Sequence, residues 1–148
     1  MNTAFTYARS TAIASEADYP YTARGGTCNA ANVTGIMNTT GYVNVTRYSP
    51  SALQAAVRNV GPVTIAVQAG SQGFMYYSSG IITSQCGTSI DHAITVVGYG
   101  NNGTIEYWIA KNSWGSNWGE QGYVRILKTT ANDAGMCGVN LYPSYATV

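Results

Sequence analysis

Charged side chains are scarce in this chain of 148 residues. Asp, Glu, Lys and Arg make up 9% of it, whereas about 25% is usual for a soluble protein. The net charge is +1, so neither nucleic acid nor an anionic membrane is expected as a partner. No apolar run approaches the roughly 20 residues of a membrane span, so no membrane-spanning segment is expected either.

Residues that carry much of enzyme chemistry are also few. The chain has one histidine, His92, and three cysteines, Cys28, Cys86 and Cys137. Three is an odd number, so at least one thiol has no partner within the chain. No metal site and no cofactor are expected. Residues 1–4, M-N-T-A, lack the basic start and apolar core of a signal peptide, so an export signal would lie outside this sequence.

The patterning predicts one helix followed by a run of strands. Apolar residues at helical spacing predict a helix from Asn2 to about Ala14, capped by Asn2 or Thr3. Ser49 and Pro50 predict the start of a second helix, which ends near Gly61. A short helical piece or turn is expected at 73–77, strands at 41–48, 63–67, 93–99, 105–111 and 123–127, and an extended tail after residue 137. This order favours an α+β fold, a β-barrel-like domain with a helical appendage.

One stretch contains the only histidine and all three tryptophans. It reads D-H-A-I-T-V-V-G-Y-G at 91–100 and Y-W-I-A-K-N-S-W-G-S-N-W-G-E-Q-G-Y at 107–123. In nucleophilic catalysis a histidine shares a proton with a thiol or hydroxyl, and a third polar group orients its ring. Asn112 can accept from one nitrogen of His92 while the other faces a nucleophile, and Trp114 can shield that bond. Taken alone, a single histidine in an apolar strand is more often structural.

Both segments resemble the papain-like cysteine peptidases, the papain and cathepsin L family. K-N-S-W-G-S-N-W-G-E-Q-G-Y is similar to the family's Asn segment, and D-H-A-I-T-V-V-G-Y-G to its His segment, in the same order. The resemblance implies that His92 and Asn112 are catalytic. It also implies a papain-like fold of two lobes, here one domain over 1–148. Residues 1–40 would be a remnant of the helical lobe and a crossover, and 41–148 the β lobe.

The resemblance also implies a substrate site. The residues that match the family's substrate-contacting positions are Met1, Ala66, Ile90, Asp91, Trp118 and Tyr142. The four that line the subsite for the second residue before the cut, namely Met1, Ala66, Ile90 and Tyr142, are apolar or aromatic, so a hydrophobic side chain is expected there. For Trp118, a role in packing under the Gly-rich loop is about as plausible as contact with the leaving-group side of a substrate.

The cysteines match structural positions of the family. Cys86 and Cys137 resemble its β-lobe disulfide pair, which makes Cys28 the free thiol. The disulfide, together with four Asn-x-Ser/Thr sequons at Asn32, Asn38, Asn44 and Asn102, favours a lysosome-like, vacuolar or secreted location.

The family's nucleophile lies in a C-G-S-C-W type segment well before the His and Asn. At that spacing it would fall before Met1, as would the glutamine of the oxyanion hole. The chain is therefore expected to be the C-terminal portion of a cysteine peptidase, inactive alone. Its partners would be the missing N-terminal catalytic segment, a peptide or protein substrate, and a cystatin-like inhibitor or propeptide. Two alternatives stay open: a Ser-substituted or inactive homologue such as the silicateins, and a stand-alone binding domain.

Overall fold

The structure, a computed structural model, describes every residue from Met1 to Val148. In chain order its helices and strands are α1 (Asn2–Ser10), β1 (Ile13–Ala14), β2 (Gly35–Met37), β3 (Gly41–Asn44), α2 (Pro50–Asn59), β4 (Val63–Val67), α3 (Gln72–Met75), β5 (Ile81–Ile82), β6 (His92–Asn101), β7 (Glu106–Lys111), β8 (Tyr123–Leu127) and β9 (Ser144–Thr147). Short 3₁₀ helices lie at Ala30–Asn32 and Met136–Gly138. Few helices and a dominant sheet confirm the predicted α+β class. None of the helices has the length and hydropathy that crossing a bilayer requires.

The chain forms two compact units, residues 1–43 with 146–148, and residues 44–145. The first unit contains α1 and a two-stranded antiparallel sheet of β1 and β2. Thr39 ties the segment after β2 to α1, because its hydroxyl donates to Phe5 O at 3.0 Å and its N–H to Ala8 O at 3.1 Å. The expected division into a helical-lobe remnant and a β lobe stays a prediction.

The predicted first helix is too long. α1 ends at Ser10, because Thr11 is extended and Ile13–Ala14 pair with β2. Strand pairing suits the β-branched side chains of Thr11 and Ile13 better than a helix does. The predicted caps are also wrong, since Met1 occupies the N-cap position and no side chain caps the helix. Asn2 is instead the first helical residue.

The second unit begins with the helix that the sequence predicts best. Ser49 caps α2, because its hydroxyl accepts from Ala52 N at 3.2 Å, and Pro50 follows at the first helical position. This arrangement satisfies a donor that the helix start would otherwise leave unpaired. Leu53 and Ala56 face the interior. The strand predicted at 41–48 is shorter than expected, since β3 ends at Asn44.

Within the second unit the strand order is β4, β6, β7, β8, β5, and Ser144, the first residue of β9, pairs with Thr64 of β4. β6 pairs antiparallel with β4 and β7, and β8 pairs antiparallel with β7 and parallel with β5. Val67, the last residue of β4, lies opposite His92, the first residue of β6. The buried side chains alternate along the strands, as a sheet covered on one face requires. They include Val63, Ile65, Val67, Ile94, Val96, Trp108, Ala110, Val124 and Ile126, and Leu53 of α2 packs in the same core.

The β6–β7 hairpin has a bulge at Val97. Val96 pairs with Ala110 and Gly98 with Ile109, so β6 has one residue more than β7 at that point. A bulge of this kind bends the strand and increases its local twist. Beyond it Gly100 lies under Tyr107, whose ring would be 2.7 Å from any Cβ at that position. A side chain at position 100 would therefore require the Tyr107 ring to shift.

Candidate active site

The β6–β7 hairpin brings His92 and Asn112 together. His92 opens β6, and Asn112 directly follows β7, which runs antiparallel to it. The two strands therefore place both side chains at the same end of the hairpin. His92 Nε2 lies 2.8 Å from Asn112 Oδ1. This is the geometry expected from the sequence for a histidine and the amide that orients it.

The surroundings of Asn112 settle which ring nitrogen carries the proton. Ser113 N donates to Asn112 Oδ1 at 2.8 Å, so this side-chain atom must be the oxygen. An amide oxygen has no proton to donate, and the bond to His92 therefore needs a proton on Nε2. In the neutral imidazole Nδ1 is then the unprotonated nitrogen. Asn112 Nδ2 is buried without a partner, which costs about 1–3 kcal/mol.

Aromatic rings surround the His92–Asn112 pair. The Trp114 ring lies 5.1 Å from the imidazole, centroid to centroid, in a tilted arrangement. Phe74, which is fully buried in α3, packs edge-on against Trp114 at 5.7 Å and against His92 at 6.5 Å. Trp114 is itself 42% exposed, whereas Asn112 is 7% exposed. Trp114 therefore packs beside the imidazole while part of its ring meets solvent. Its shielding of the His92–Asn112 bond remains a prediction.

Trp118 completes this aromatic cluster. Its ring lies 5.1 Å from Phe74 and 5.3 Å from Trp114, and its Nε1 donates to Met75 O at 3.3 Å. The loop that carries it turns at Gly119, where φ is +58°. A Cβ at Gly119 would lie 2.6 Å from a main-chain oxygen and 3.0 Å from the Tyr77 ring. The Gly-rich segment is therefore needed to bring both tryptophans against α3.

A network of hydrogen bonds centred on Glu120 holds the loop that carries Trp118. Glu120 accepts from Arg125 Nε at 2.9 Å and from its Nη2 at 2.6 Å, and from Gly80 N at 2.9 Å. Tyr77 donates its hydroxyl to Gly80 O at 2.7 Å. The hydrogen bonds from Arg125 lower the pKa of Glu120, and Glu120 in turn raises that of Arg125. Burial raises the pKa of Tyr77, so the hydroxyl stays a neutral donor.

Asp91 positions the strand start at His92. Its carboxylate accepts from Ala69 N at 2.7 Å and from Gly70 N at 3.0 Å, and its own N–H donates to Val67 O. A Cβ at Gly70 would lie 2.7 Å from that carboxylate. Both carboxylate oxygens thus accept from the protein's own main chain. A substrate contact of Asp91 remains a prediction, and it would have to come mainly from main-chain atoms.

The residues predicted to line the subsite are placed on several elements. Ala66 lies in β4 opposite Ala93, the residue that follows His92. Ile90 packs beside Gly138. Tyr142 is 45% exposed, and the Arg47 guanidinium lies 4.2 Å from the centre of its ring. Met1 is the N-cap of α1 in the first unit. Their role as one subsite remains a prediction.

The cysteines divide as the sequence indicates. Cys86 and Cys137 form a disulfide, with Cα atoms 4.8 Å apart. Cys28 is free and exposed. No group of three or more His, Cys, Asp or Glu side chains converges as a metal site requires.

Sequence reasoning did not identify Phe74 or the Glu120–Arg125 pair as parts of the site. Phe74 is one of two phenylalanines and lies in a four-residue helix. A helix this short shows no hydrophobic periodicity from which its buried face could be predicted. Glu120 and Arg125 are five residues apart across a turn and a strand, and no short-range rule pairs them. Both become visible only once α3 and the loop are folded.

Comparison with known proteins gives one consistent result. Residues 1–147 match the papain family cysteine protease profile. The chain is 46% identical to Cysteine endopeptidase Rep1 of Oryza sativa subsp. japonica over 98% of its own length and 40% of that protein. It is 41% identical to Zingipain-2 of Zingiber officinale over 98% of this chain and 66% of the relative.

Solved structures agree with this result. The bromelain protease of Ananas comosus, in complex with the E64 inhibitor, matches with a TM-score of 0.91 and 41% identity, over 99% of this chain and 68% of that one. The proform of the ragweed pollen cysteine protease Amb a 11 matches with a TM-score of 0.92 and 37% identity, over 100% of this chain and 45% of that one. The papain-like fold is thereby confirmed. The chain spans two fifths of the length of Rep1. The chain belongs to the papain family of cysteine proteases.

Proposed function

We propose that this chain supplies the general base and its orienting amide for thiol-dependent hydrolysis of peptide bonds. The observation that carries the proposal is the hydrogen bond from His92 Nε2 to Asn112 Oδ1, at 2.8 Å. It leaves Nδ1 of His92 as the nitrogen available to a nucleophile. A rigid, shielded imidazole with one free nitrogen is what activation of a thiol needs.

The chemistry follows from the two nitrogens of His92. Nδ1 accepts the proton of a thiol, and the resulting imidazolium stabilises the thiolate beside it. The thiolate attacks the peptide carbonyl carbon, and the same nitrogen donates its proton to the departing amine, which leaves an acyl thioester. Water then gives a proton to Nδ1 and attacks the thioester carbonyl, and the acid and the thiolate are released. Throughout, Asn112 holds Nε2–H and prevents the ring from rotating. Trp114 excludes water from that bond, which strengthens it.

The nucleophile is proposed to lie outside these 148 residues. In the second unit both cysteines, Cys86 and Cys137, are joined in the disulfide and offer no thiol. Cys28 belongs to the first unit and matches no nucleophile motif of the family. The chain on its own is therefore expected to be inactive, because loss of the nucleophile removes nearly all of the catalysis in such a unit.

The substrate is proposed to be a peptide with a hydrophobic second residue before the cut. Ala66, Ile90 and Tyr142 are the apolar or aromatic side chains that support this choice, with Met1 as a fourth position by family resemblance. Trp118 is exposed enough, at the edge of the aromatic cluster, to contact the leaving-group side. Inhibitors and propeptides are proposed partners, since the matched structures include an E64 complex and proforms.

The proposed location is a lysosome-like or vacuolar compartment, or the exterior. The disulfide supports it, because such bonds persist in oxidising compartments and are rare in the cytosol.

The test joins a family-type N-terminal segment, carrying the glutamine and cysteine, to Met1. We expect the fusion to cleave a peptide with a hydrophobic second residue before the cut. His92→Ala should lower the cleavage rate by about 10²-fold or more, which is the contribution of general acid–base catalysis. Asn112→Ala should reduce it by about 10- to 100-fold, the equivalent of one strong hydrogen bond.

Tyr76→Ala serves as the matched control, since Tyr76 directly follows α3 and is 77% exposed. It should leave the rate unchanged. Cleavage by the unfused chain that depends on a thiol would contradict the claim that the nucleophile lies elsewhere. A folded fusion whose rate is indifferent to His92→Ala would contradict the role of His92.

The proton position can be tested on the chain as it stands. His92 is the only histidine, so nitrogen NMR reads a single imidazole. We expect the neutral ring to carry its proton on Nε2, and Asn112→Ala to produce a mixture of tautomers. Protonation on Nδ1 in the parent chain would exclude the proposed geometry.

A further inference from the structure

The four sequons of this chain differ in how available their acceptor nitrogen is. Glycosylation joins a sugar to Nδ2 of the asparagine in an Asn-x-Ser/Thr sequence. A folded chain can carry that glycan without loss only where Nδ2 faces solvent and has no protein partner to give up. The sequons are at Asn32, Asn38, Asn44 and Asn102.

Three of the four asparagines are engaged. Asn32 Nδ2 donates to Asn29 Oδ1 at 2.7 Å. Asn38 Nδ2 donates to a main-chain carbonyl of α1 at 3.4 Å. Asn44 ends β3 and takes part in an interaction of its own, and the next residue, Val45, is buried. At Asn32 and Asn38 the acceptor nitrogen is thus already committed to a protein contact, and at Asn44 the chain runs directly into the buried Val45.

Asn102, in contrast, makes its side-chain hydrogen bonds through Oδ1 and leaves the acceptor nitrogen Nδ2 free. It lies at the tip of the β6–β7 hairpin, where Asn102, Gly103 and Thr104 are all exposed. Its Oδ1 accepts from Thr104 N at 3.1 Å and from Ile105 N at 2.8 Å. These bonds fix the amide so that the oxygen points into the turn and Nδ2 points away from it, with no protein partner. The hydroxyl of Thr104, which the sequon needs, makes no hydrogen bond either.

We propose that Asn102 is an N-glycosylation site and the one sequon of this chain that the folded protein carries in modified form. Nδ2 attacks the anomeric carbon of an oligosaccharide held on a lipid pyrophosphate. The new bond joins Nδ2 to that carbon, the lipid pyrophosphate leaves with the bonding electron pair, and Nδ2 loses one proton. The Asn102 Oδ1 bonds to the turn stay intact, since the reaction does not use them.

The surroundings of Asn102 suit a sugar. A surface cavity beside the tip is lined by Thr104, Ile105, Glu106, residues 127–131 and Asp133. Within it Lys128 Nζ and Glu106 Oε2 form an ion pair at 2.7 Å, which offers a donor and an acceptor to sugar hydroxyls. β6 runs ten residues from His92 to Asn101, roughly 30 Å at the usual rise. A glycan at the tip therefore leaves the His92 end unobstructed.

The inference rests on the proposed passage through an oxidising, membrane-enclosed route, and it is independent of the peptidase chemistry. Glycan occupancy is read without any activity assay, so its failure and failure of the peptidase proposal are separate outcomes. The scarcity of charge, 9% of residues, adds a physical reason, because a glycan would supply hydration that charged side chains do not.

The test expresses the full chain behind a secretory leader in a eukaryotic host. Peptide mass spectrometry after peptide-N-glycosidase treatment, which converts a glycosylated asparagine to aspartate, reads the occupancy of each sequon. We expect Asn102 to be occupied in the secreted pool and the other three to be unmodified. Thr104→Ala removes the sequon but keeps Asn102 and its turn, and it should remove the entire glycan.

Thr104→Ser is the matched control, because it keeps the hydroxyl, and it should retain the glycan. The combined Asn32→Gln, Asn38→Gln and Asn44→Gln variant should match the parent in glycan mass. Occupancy is also read on the retained intracellular pool, so poor secretion still gives a result. Unmodified Asn102 in both pools, or a glycan that persists in Thr104→Ala, overturns the proposal.

Discussion

The two compact units bury very different amounts of apolar surface. Of the buried apolar residues, Ala8 alone lies in the first unit. The other eighteen form one contiguous cluster in residues 44–145. The first unit instead exposes large apolar side chains, among them Tyr21 at 85% and Ile36 at 71%. A unit with so little core gains little stability from the hydrophobic effect.

The rigidity of the candidate site comes from the second unit. Everything that orients His92 lies in the second unit: Asn112, the aromatic rings of Phe74 and Trp114, and the carboxylate of Asp91. The same unit has the disulfide and both ion pairs of the chain. The cysteine of the first unit is free, and none of the charged side chains of this unit forms an ion pair. The second unit is thus built to hold a fixed geometry.

The largest test of this contrast removes the disulfide. Cys86 and Cys137 are 51 residues apart, and closing a loop of that length stabilises by about 4 kcal/mol in the chain-entropy model. The double variant Cys86→Ser, Cys137→Ser should lose about that much free energy of unfolding, measured by urea denaturation. Cys28→Ser should change nothing measurable. Equal losses from the two variants would contradict the contrast between the units.

An intermediate effect is expected from the Glu120–Arg125 pair. Glu120→Gln removes the charge while keeping the shape, and it should cost about 2 kcal/mol, typical of hydrogen bonds to charged groups. Because the pKa of Glu120 is lowered in the folded chain from an ordinary value of 4.5, its contribution is complete above that pH. It is lost as the pH falls through the lowered pKa. Denaturation curves from neutral pH to about pH 3 should therefore show parent and variant converging.

Asp18→Asn is the control for this prediction. Asp18 is exposed in the first unit and makes only local bonds. Its carboxylate accepts from Ser15 Oγ at 2.6 Å, and its own N–H donates to Ser15 Oγ at 3.1 Å. Its substitution should stay within about 0.5 kcal/mol at every pH. A difference between Glu120→Gln and the parent that grows on acidification would show that the sign is wrong.

The smallest expected effect compares two isoleucines. Ile65 is fully buried in β4, and Ile36 in β2 is 71% exposed. Ile65→Val removes one buried methylene and should cost about 1 kcal/mol. Ile36→Val should cost close to nothing, since its side chain already meets solvent. A loss at Ile36 as large as at Ile65 would mean that the first unit buries this side chain in solution.

The sequence predicts those parts of the fold that depend on near neighbours. β8 has the bounds that alternation predicts, and α2 has the cap and proline expected at Ser49 and Pro50. The meeting of His92 and Asn112 was also predictable, because a hairpin places the start of one strand beside the end of the next. Such features are fixed by periodicity and short-range pairing.

What the sequence does not reveal depends on distant partners. α1 ends at Ser10 because residues 13–14 pair with residues 35–37. Nothing in the sequence of residues 11–14 predicts that pairing. The burial of Phe74 against Trp114 and His92 likewise joins a short helix to a strand and a distant loop. Strand pairing and ring packing override local propensity in both cases.

The extra residue at Val97 has a consequence for engineering. Register between β6 and β7 is set separately on the two sides of this bulge, with Thr95 opposite Lys111 on one side and Tyr99 opposite Trp108 on the other. Residues added at the hairpin turn lengthen the outer half and leave the inner pairing in place. The turn is therefore the position at which an inserted peptide, a fluorescent reporter or a second domain should be grafted while the imidazole keeps its alignment.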